Sequence, residues 1–130
     1  MHLKIVTHEK IVYDDVVDEI YSKGTDGEFG VLKDHIPFMS ALDVGVTKIV
    51  KDGNVKFFTI MGGVFQFAED EAVILTHSSE SGEEVDIDRA KNAKQRAEER
   101  LQNKTETIDA QRAEAALARA MARLKAAQTK

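Results

Sequence analysis

The residues best suited to chemistry in this sequence are its six arginines, Arg89, Arg96, Arg100, Arg112, Arg119 and Arg123, all beyond residue 82. Arg89 and Arg96 stand seven positions apart and share a helix face, and so do Arg112, Arg119 and Arg123. Arg119 and Arg123 form a like-charge i,i+4 pair, mildly destabilising unless an anion answers it. Two such faces brought together make a receptor for a multivalent anion, since guanidinium groups grip phosphate in bidentate fashion, at about 1.5–3 kcal/mol for each charge-assisted hydrogen bond. The same spacing also fits a solvated basic face paired with Glu98, Glu99 and Glu114.

Other constellations are weaker. The run from Gly24 to Gly30 is glycine-rich, but it lacks the terminal Lys-Ser/Thr of a phosphate loop and opens no helix, so it reads as turns. His35 has no second histidine or thiol nearby, and His77 with Glu80 supplies only two metal-type ligands. No nucleophile elbow or acid/base dyad is present, which places an enzyme built on His35 last among the readings.

The elements that must position the arginines follow from a break in composition near Gly82. All eight Gly, the single Pro and all eight Phe and Tyr lie in residues 1–82, with seven Lys against fourteen acids and no Arg. Residues 83–130 hold twelve Ala, no Gly, no Pro and no aromatic. The first part reads as short strands: Leu3–Thr7, Val16–Ser22, Phe29–Leu32, Val46–Val50, Val55–Met61, Val64–Ala68 and Ala72–Leu75. Asp26-Gly27, Asp52-Gly53, Gly62-Gly63 and Glu69-Asp70-Glu71 supply the turns between them. The second part reads as two helices. Asp86 caps one, whose apolar line is Ile87, Ala90, Ala93 or Lys94, Ala97 and Leu101; after a polar break at Gln102–Glu106, Thr107 caps another, with Ala113, Leu117, Ala120, Met121 and Leu124 as its stripe.

The expected fold is therefore α+β: a small N-terminal antiparallel β-sandwich or barrel over 1–82, then a C-terminal antiparallel two-helix hairpin over 83–130. Alanine contacts hold such a hairpin weakly, yet alanine is the best helix former, so the helices persist when they part. Joined end to end, about 45 residues at 1.5 Å each make a rod of roughly 65 Å. The sequence has no cysteine, and its net charge of −5 argues against nucleic-acid binding. Its apolar runs stop short of the roughly 20 residues a spanning helix needs, and no apolar signal core opens it, so a soluble intracellular protein without direct membrane insertion is expected.

Across essentially its whole length the chain resembles the epsilon-subunit family of the F-type ATP synthases. The stretch Asp26-Gly-Glu-Phe-Gly-Val-Leu-Lys-Asp-His35-Ile-Pro37 is similar to that family's G-E-x-G-x-L-x-x-H-x-P signature, and Met61-Gly62-Gly63-Val-Phe-Gln-Phe to its glycine-pair strand. Val85-Asp86-Ile-Asp-Arg89-Ala90 is similar to the I/L-D-x-x-R-A motif of epsilon subunits that bind ATP. The resemblance implies a β-sandwich as the first module of a noncatalytic rotor subunit, peripheral on the cytoplasmic side of the cell membrane. Its partners are the gamma subunit, the membrane ring of proton-carrying subunits through the region of Glu28 and His35, and the alpha and beta subunits through an extended C-terminal hairpin that inhibits ATP hydrolysis. It also implies an ATP site of Glu80, Val85, Asp86, Arg89, Ala90, Arg96, Arg119 and Arg123. Glu80 and Asp86 then serve the adenine or ribose side and the helix start, and the four arginines face the phosphates; whether Mg²⁺ accompanies the nucleotide is left open. Two departures bear on affinity: Val85 replaces Ile or Leu, and Asp88 sets an acid beside Arg89. The competing reading is a stand-alone adaptor, a sandwich presenting a hairpin to a partner without any nucleotide.

Overall fold

A computed structural model describes residues 1–103 and 107–128. Seven strands come first: β1 (His2–Val6), β2 (Ile11–Val16), β3 (Glu19–Gly24), β4 (Gly27–Leu32), β5 (Phe38–Lys51), β6 (Asn54–Ala68) and β7 (Glu71–Thr76). A short 3₁₀ turn at Gly82–Glu84 leads into α1 (Ile87–Gln102), and α2 (Thr107–Gln128) follows. The strands form one hydrogen-bonded sheet in the order β2-β1-β7-β6-β5-β3-β4. Neighbours run antiparallel except β1 and β7, which pair in parallel from His2↔Glu71 to Val6↔Leu75.

The sheet folds over on itself. Tyr13 on the edge strand β2 meets Phe58 of β6 edge to face at 5.2 Å, and Phe29 on the opposite edge strand β4 meets Phe65 of β6 at 5.0 Å. Leu3, Ile5, Ile20, Val31, Phe65 and Ile74 share one fully buried core, so residues from both sheet edges converge into a sandwich. Burying each such side chain contributes about 1.5–3 kcal/mol.

The strand expectations need revision in four places. Val16–Ser22 is not one strand: Val16 ends β2, and β3 begins at Glu19. Ile11–Val16 forms its own strand, hidden in the sequence by Asp14, which is exposed on the outer face, and Asp15, which lies opposite buried Leu3 at the sheet edge and is bonded to Lys51. Phe38–Asp43 extends β5 well ahead of the expected Val46. Gly62-Gly63 does not end a strand: β6 continues through it, with Gly62 at φ 75° and Gly63 at φ 132°. A Cβ on Gly63 would lie 1.9 Å from the Leu75 carbonyl oxygen, so the pair bends β6 where β7 joins it. The other turns form as expected, with Asp52 and Gly53 both at positive φ in a tight hairpin.

The helices pack antiparallel, with Ala90 at the start of α1 against Leu124 and Ala127 near the end of α2. Asp86 caps α1 by accepting from the Arg89 N–H at 3.0 Å. Thr107, expected as a cap, is instead the first residue of α2, and residues 104–106 of the expected polar break lie outside the described residues. Met121 leaves the expected stripe: it is half exposed, while Ala110, Ala113, Ala120, Leu124 and Ala127 are buried. Ala126 is buried for another reason, since its carbonyl oxygen would stand 2.3 Å from a Cβ on Gly82, so α2 rests directly on the chain leaving the sandwich. Among the described residues no helix is long and apolar enough to cross a membrane.

Candidate functional site

The crossover from sandwich to hairpin builds the site. Glu80 is fixed to β6 by two backbone bonds: its carbonyl accepts from Thr59 N–H at 2.9 Å, and its own N–H donates to Thr59 Oγ1 at 3.0 Å. One turn on, Ser81 N–H and Oγ both donate to Glu84 Oε1, at 3.4 and 3.0 Å, which closes the 3₁₀ turn. Val85 then drops into the small apolar cluster of Ala90, Leu124 and Ala127, and Asp86 starts α1. Val85 and Ala90 thus hold the helix ends together rather than facing solvent. The Asp86 carboxylate is committed at one oxygen to its capping bond.

Arg123 Nε donates to Glu80 Oε1 at 3.2 Å, a contact spanning the two modules, with both side chains about one-third exposed. Arg89, Arg96 and Arg119 are exposed. Their register is more informative than their exposure. Each expected arginine stands one residue before a buried seam residue: Arg89 before Ala90, Arg96 before Ala97, Arg119 before Ala120, Arg123 before Leu124. One residue is a rotation of about 100°. In an antiparallel pair, the residue preceding the seam lies on the same side of the seam in both helices, because reversing a helix reverses its direction of winding as seen from one end. The four guanidinium-bearing positions therefore flank one edge of the hairpin, the edge that Glu80 reaches. Arg112 precedes buried Ala113 and Arg100 precedes half-buried Leu101, so the same edge continues past the four expected arginines. That extension was open to sequence reasoning through the same one-residue offset.

The ring-facing candidates lie elsewhere. Glu28 sits exposed on β4 opposite Lys23. His35 follows β4, with Nδ1 2.7 Å from the Ile36 carbonyl oxygen and its ring edge-on to Phe38 and Phe67 at 5.9 and 6.0 Å. Neither makes an ion pair among the described residues. Among the described residues no three His, Asp or Glu side chains are placed to hold a metal.

A third feature was not legible in the sequence as a site. Across β5, β6, β7, β1 and β2 one outward row is apolar: Ala41 pairs with Val64, Val64 with Leu75, Leu75 with Val6, and Val6 with Ile11. Val64, Leu75 and Ile11 are 39%, 52% and 55% exposed. Apolar side chains aligned over five strands make a continuous surface, the kind that marks a protein interface.

Fold and site together define a class: a β-sandwich joined by a short crossover to a helical hairpin whose arginines line one edge. Residues 1–82 match the family model of the ATP synthase Delta/Epsilon chain beta-sandwich domain, and residues 83–128 that of the Delta/Epsilon chain long alpha-helix domain. The ATP synthase epsilon chain of Nitratidesulfovibrio vulgaris is 43% identical over 125 residues, covering 96% of this chain and 93% of its own. That of Syntrophobacter fumaroxidans is 44% identical over 126 residues, covering 97% and 94%. A chain in the structure of the Euglena gracilis mitochondrial ATP synthase (OSCP/F1/c-ring, rotational state 1) shares the fold at a TM-score of 0.83 and 24% identity, over 97% of this chain and 79% of that one. The chain belongs to the ATP synthase delta/epsilon family, on its bacterial epsilon side, and so to a noncatalytic subunit type rather than to the enzymes.

Proposed function

We propose that the chain works in the central stalk of a proton-translocating F-type ATP synthase, peripheral on the cytoplasmic side of the cell membrane. There the sandwich couples the catalytic head to the membrane ring, and the hairpin senses ATP and restrains ATP hydrolysis. The observation that carries this reading is the register of Arg89, Arg96, Arg119 and Arg123 along one edge of the seam. Triphosphate oxygens lying on that edge neutralise the Arg119/Arg123 pair and tie α1 to α2. Glu80, now paired with Arg123, turns to the adenine or ribose side, while Asp86 keeps the start of α1 in place. ATP is bound here as a regulator and is not hydrolysed. At ten times its Kd it stabilises the folded hairpin by about 1.4 kcal/mol, enough to bias a closely balanced equilibrium.

Without nucleotide the alanine seam is left to hold the hairpin, and the freed basic helix extends toward acidic surfaces of the alpha and beta subunits. The sandwich meanwhile stays on the rotor. The apolar row Ala41–Val64–Leu75–Val6–Ile11 supports docking of gamma on the outer face, and Glu28 with the His35 loop supports contact with the ring.

Calorimetry on the isolated subunit tests the site. Arg119→Ala and Arg123→Ala each weaken ATP binding by about tenfold or more, given charge-assisted bonds of about 1.5–3 kcal/mol. Titrations with and without Mg²⁺ show whether the ion accompanies the nucleotide. Equal ATP affinity in wild type and both variants would falsify the assignment.

A further inference from the structure

The flank of α2 opposite the arginines carries a cleft of its own, about 850 Å³ in volume, between the hairpin and the outer face of β3, β4 and β5. That volume lies in the usual range of small-molecule sites. Its walls come from separate elements: Lys23 on β3, Lys48 on β5, Lys94 on α1 and Lys125 on α2 line it, and among the described residues Glu28 is the one carboxylate on the lining. The sandwich as a whole has seven Lys against fourteen acids, so this lining reverses the sign of its surroundings.

The ammonium groups are partly fixed. Lys48 Nζ stands 5.4 Å over the Tyr21 ring, and Lys23 is held 3.8 Å from Asp43. Lys94, half-buried, forms no ion pair among the described residues. Phe57, Val46 and Met121 give the cleft an apolar floor. Met121 thereby finds an explanation: it is half exposed because it faces this cleft instead of the seam.

We propose that the cleft is a second ligand site, for a small organic anion that carries one carboxylate, sulfonate or phosphate on an aromatic or aliphatic body. The lysines select the anionic group, and the apolar floor selects against inorganic ions, which have nothing to bury there. A ligand touching β3, β5 and both helices binds only while the hairpin is docked, so by mass action it holds the docked form. The site is independent of the ATP reading, since it uses the other flank of α2 and none of the arginines.

The probe is 8-anilinonaphthalene-1-sulfonate, titrated into the full chain by calorimetry and fluorescence, with ATP and inorganic phosphate as competitors. One equivalent binds, neither competitor displaces it, and Arg119→Ala leaves its affinity unchanged. Lys48→Gln combined with Lys94→Gln weakens it by about tenfold, and Ala118→Phe, which fills the cleft from α2, removes it; circular dichroism confirms that both variants are folded. Unchanged affinity in either variant, displacement by ATP or phosphate, or no binding at millimolar probe would overturn the proposal. Failure of ATP to bind the subunit at all would remove the nucleotide reading and leave this one standing.

Discussion

Glu80 and Arg123 show how single charges are managed where two modules meet. The pair is about one-third exposed on both sides, so its own contribution is small, of the order of 0.2–1 kcal/mol; its geometry matters more, because it parks one arginine where an anion can take it over. A second pair, on the far edge of the sandwich, acts on stability alone. Asp15 accepts from Lys51 Nζ at 2.5 Å and from the Val16 N–H at 2.8 Å. The Lys51 bond first, then the backbone bond, hold the Asp15 carboxyl below its ordinary 3.8, and the Asp15 bond raises Lys51 above its ordinary 10.5. A depressed carboxyl stabilises the fold above its unfolded pKa, and that contribution is lost as the pH falls through the folded value. Raised Lys51 contributes below its unfolded pKa, and its part is lost as the pH rises through the folded one. The urea midpoint of wild type should therefore fall more steeply than that of Asp15→Asn on acidification below about pH 4. Both side chains are more than 40% exposed, so the difference should be small and should shrink in 0.5 M salt. Parallel acid limbs for the two proteins would show that the pair does not contribute.

At the scale of elements, the helical seam was readable and the docking of α2 was not. Helical spacing alone picked out Ala90, Ala97, Ala113, Ala120 and Leu124, and with them the arginine register, because one side of each helix meets one partner. α2 meets two: Ala126 is buried against Gly82 and Ala122 faces the sandwich. An alanine that packs and an alanine that only favours a helix look identical in sequence. The glycine pair in β6 misled for the converse reason: Gly62-Gly63 looks like a turn, yet what requires a glycine there is the Leu75 carbonyl of a strand distant in sequence. Sequence also missed the lysine cleft, whose lining is drawn from six separate elements. The α2 contact is testable at one atom. In Gly82→Ala the new Cβ falls 2.3 Å from the Ala126 carbonyl oxygen and 2.9 Å from its carbon, an overlap with backbone that costs about 1–3 kcal/mol. Trypsin should cut the hairpin about tenfold faster than in wild type, while the sandwich core melts as before. Equal cleavage rates would mean that α2 does not rest on Gly82 in solution.

The whole molecule joins a well-packed module to a loosely zipped one. Phe65, Leu3, Ile5, Ile20 and Ile74 are fully buried in the sandwich, each contributing about 1.5–3 kcal/mol, whereas an alanine methyl in the seam contributes about 0.8 kcal/mol. Opening of the hairpin is therefore a local event of lower free energy than global unfolding. Hydrogen exchange on the isolated subunit should separate the two. Without nucleotide, amides of α1 and α2 exchange well ahead of those of β1, β6 and β7. With ATP at ten times its Kd, hairpin amides slow by about tenfold and the sandwich amides do not change. Because the helices persist when the seam opens, the amides that respond most should be those near the crossover, where Val85 and Ala90 meet Leu124 and Ala127, while helix centres respond least. A hairpin as protected as the sandwich before ATP is added would mean that alanine packing is strong enough on its own. Nucleotide would then have no closely balanced equilibrium to tip.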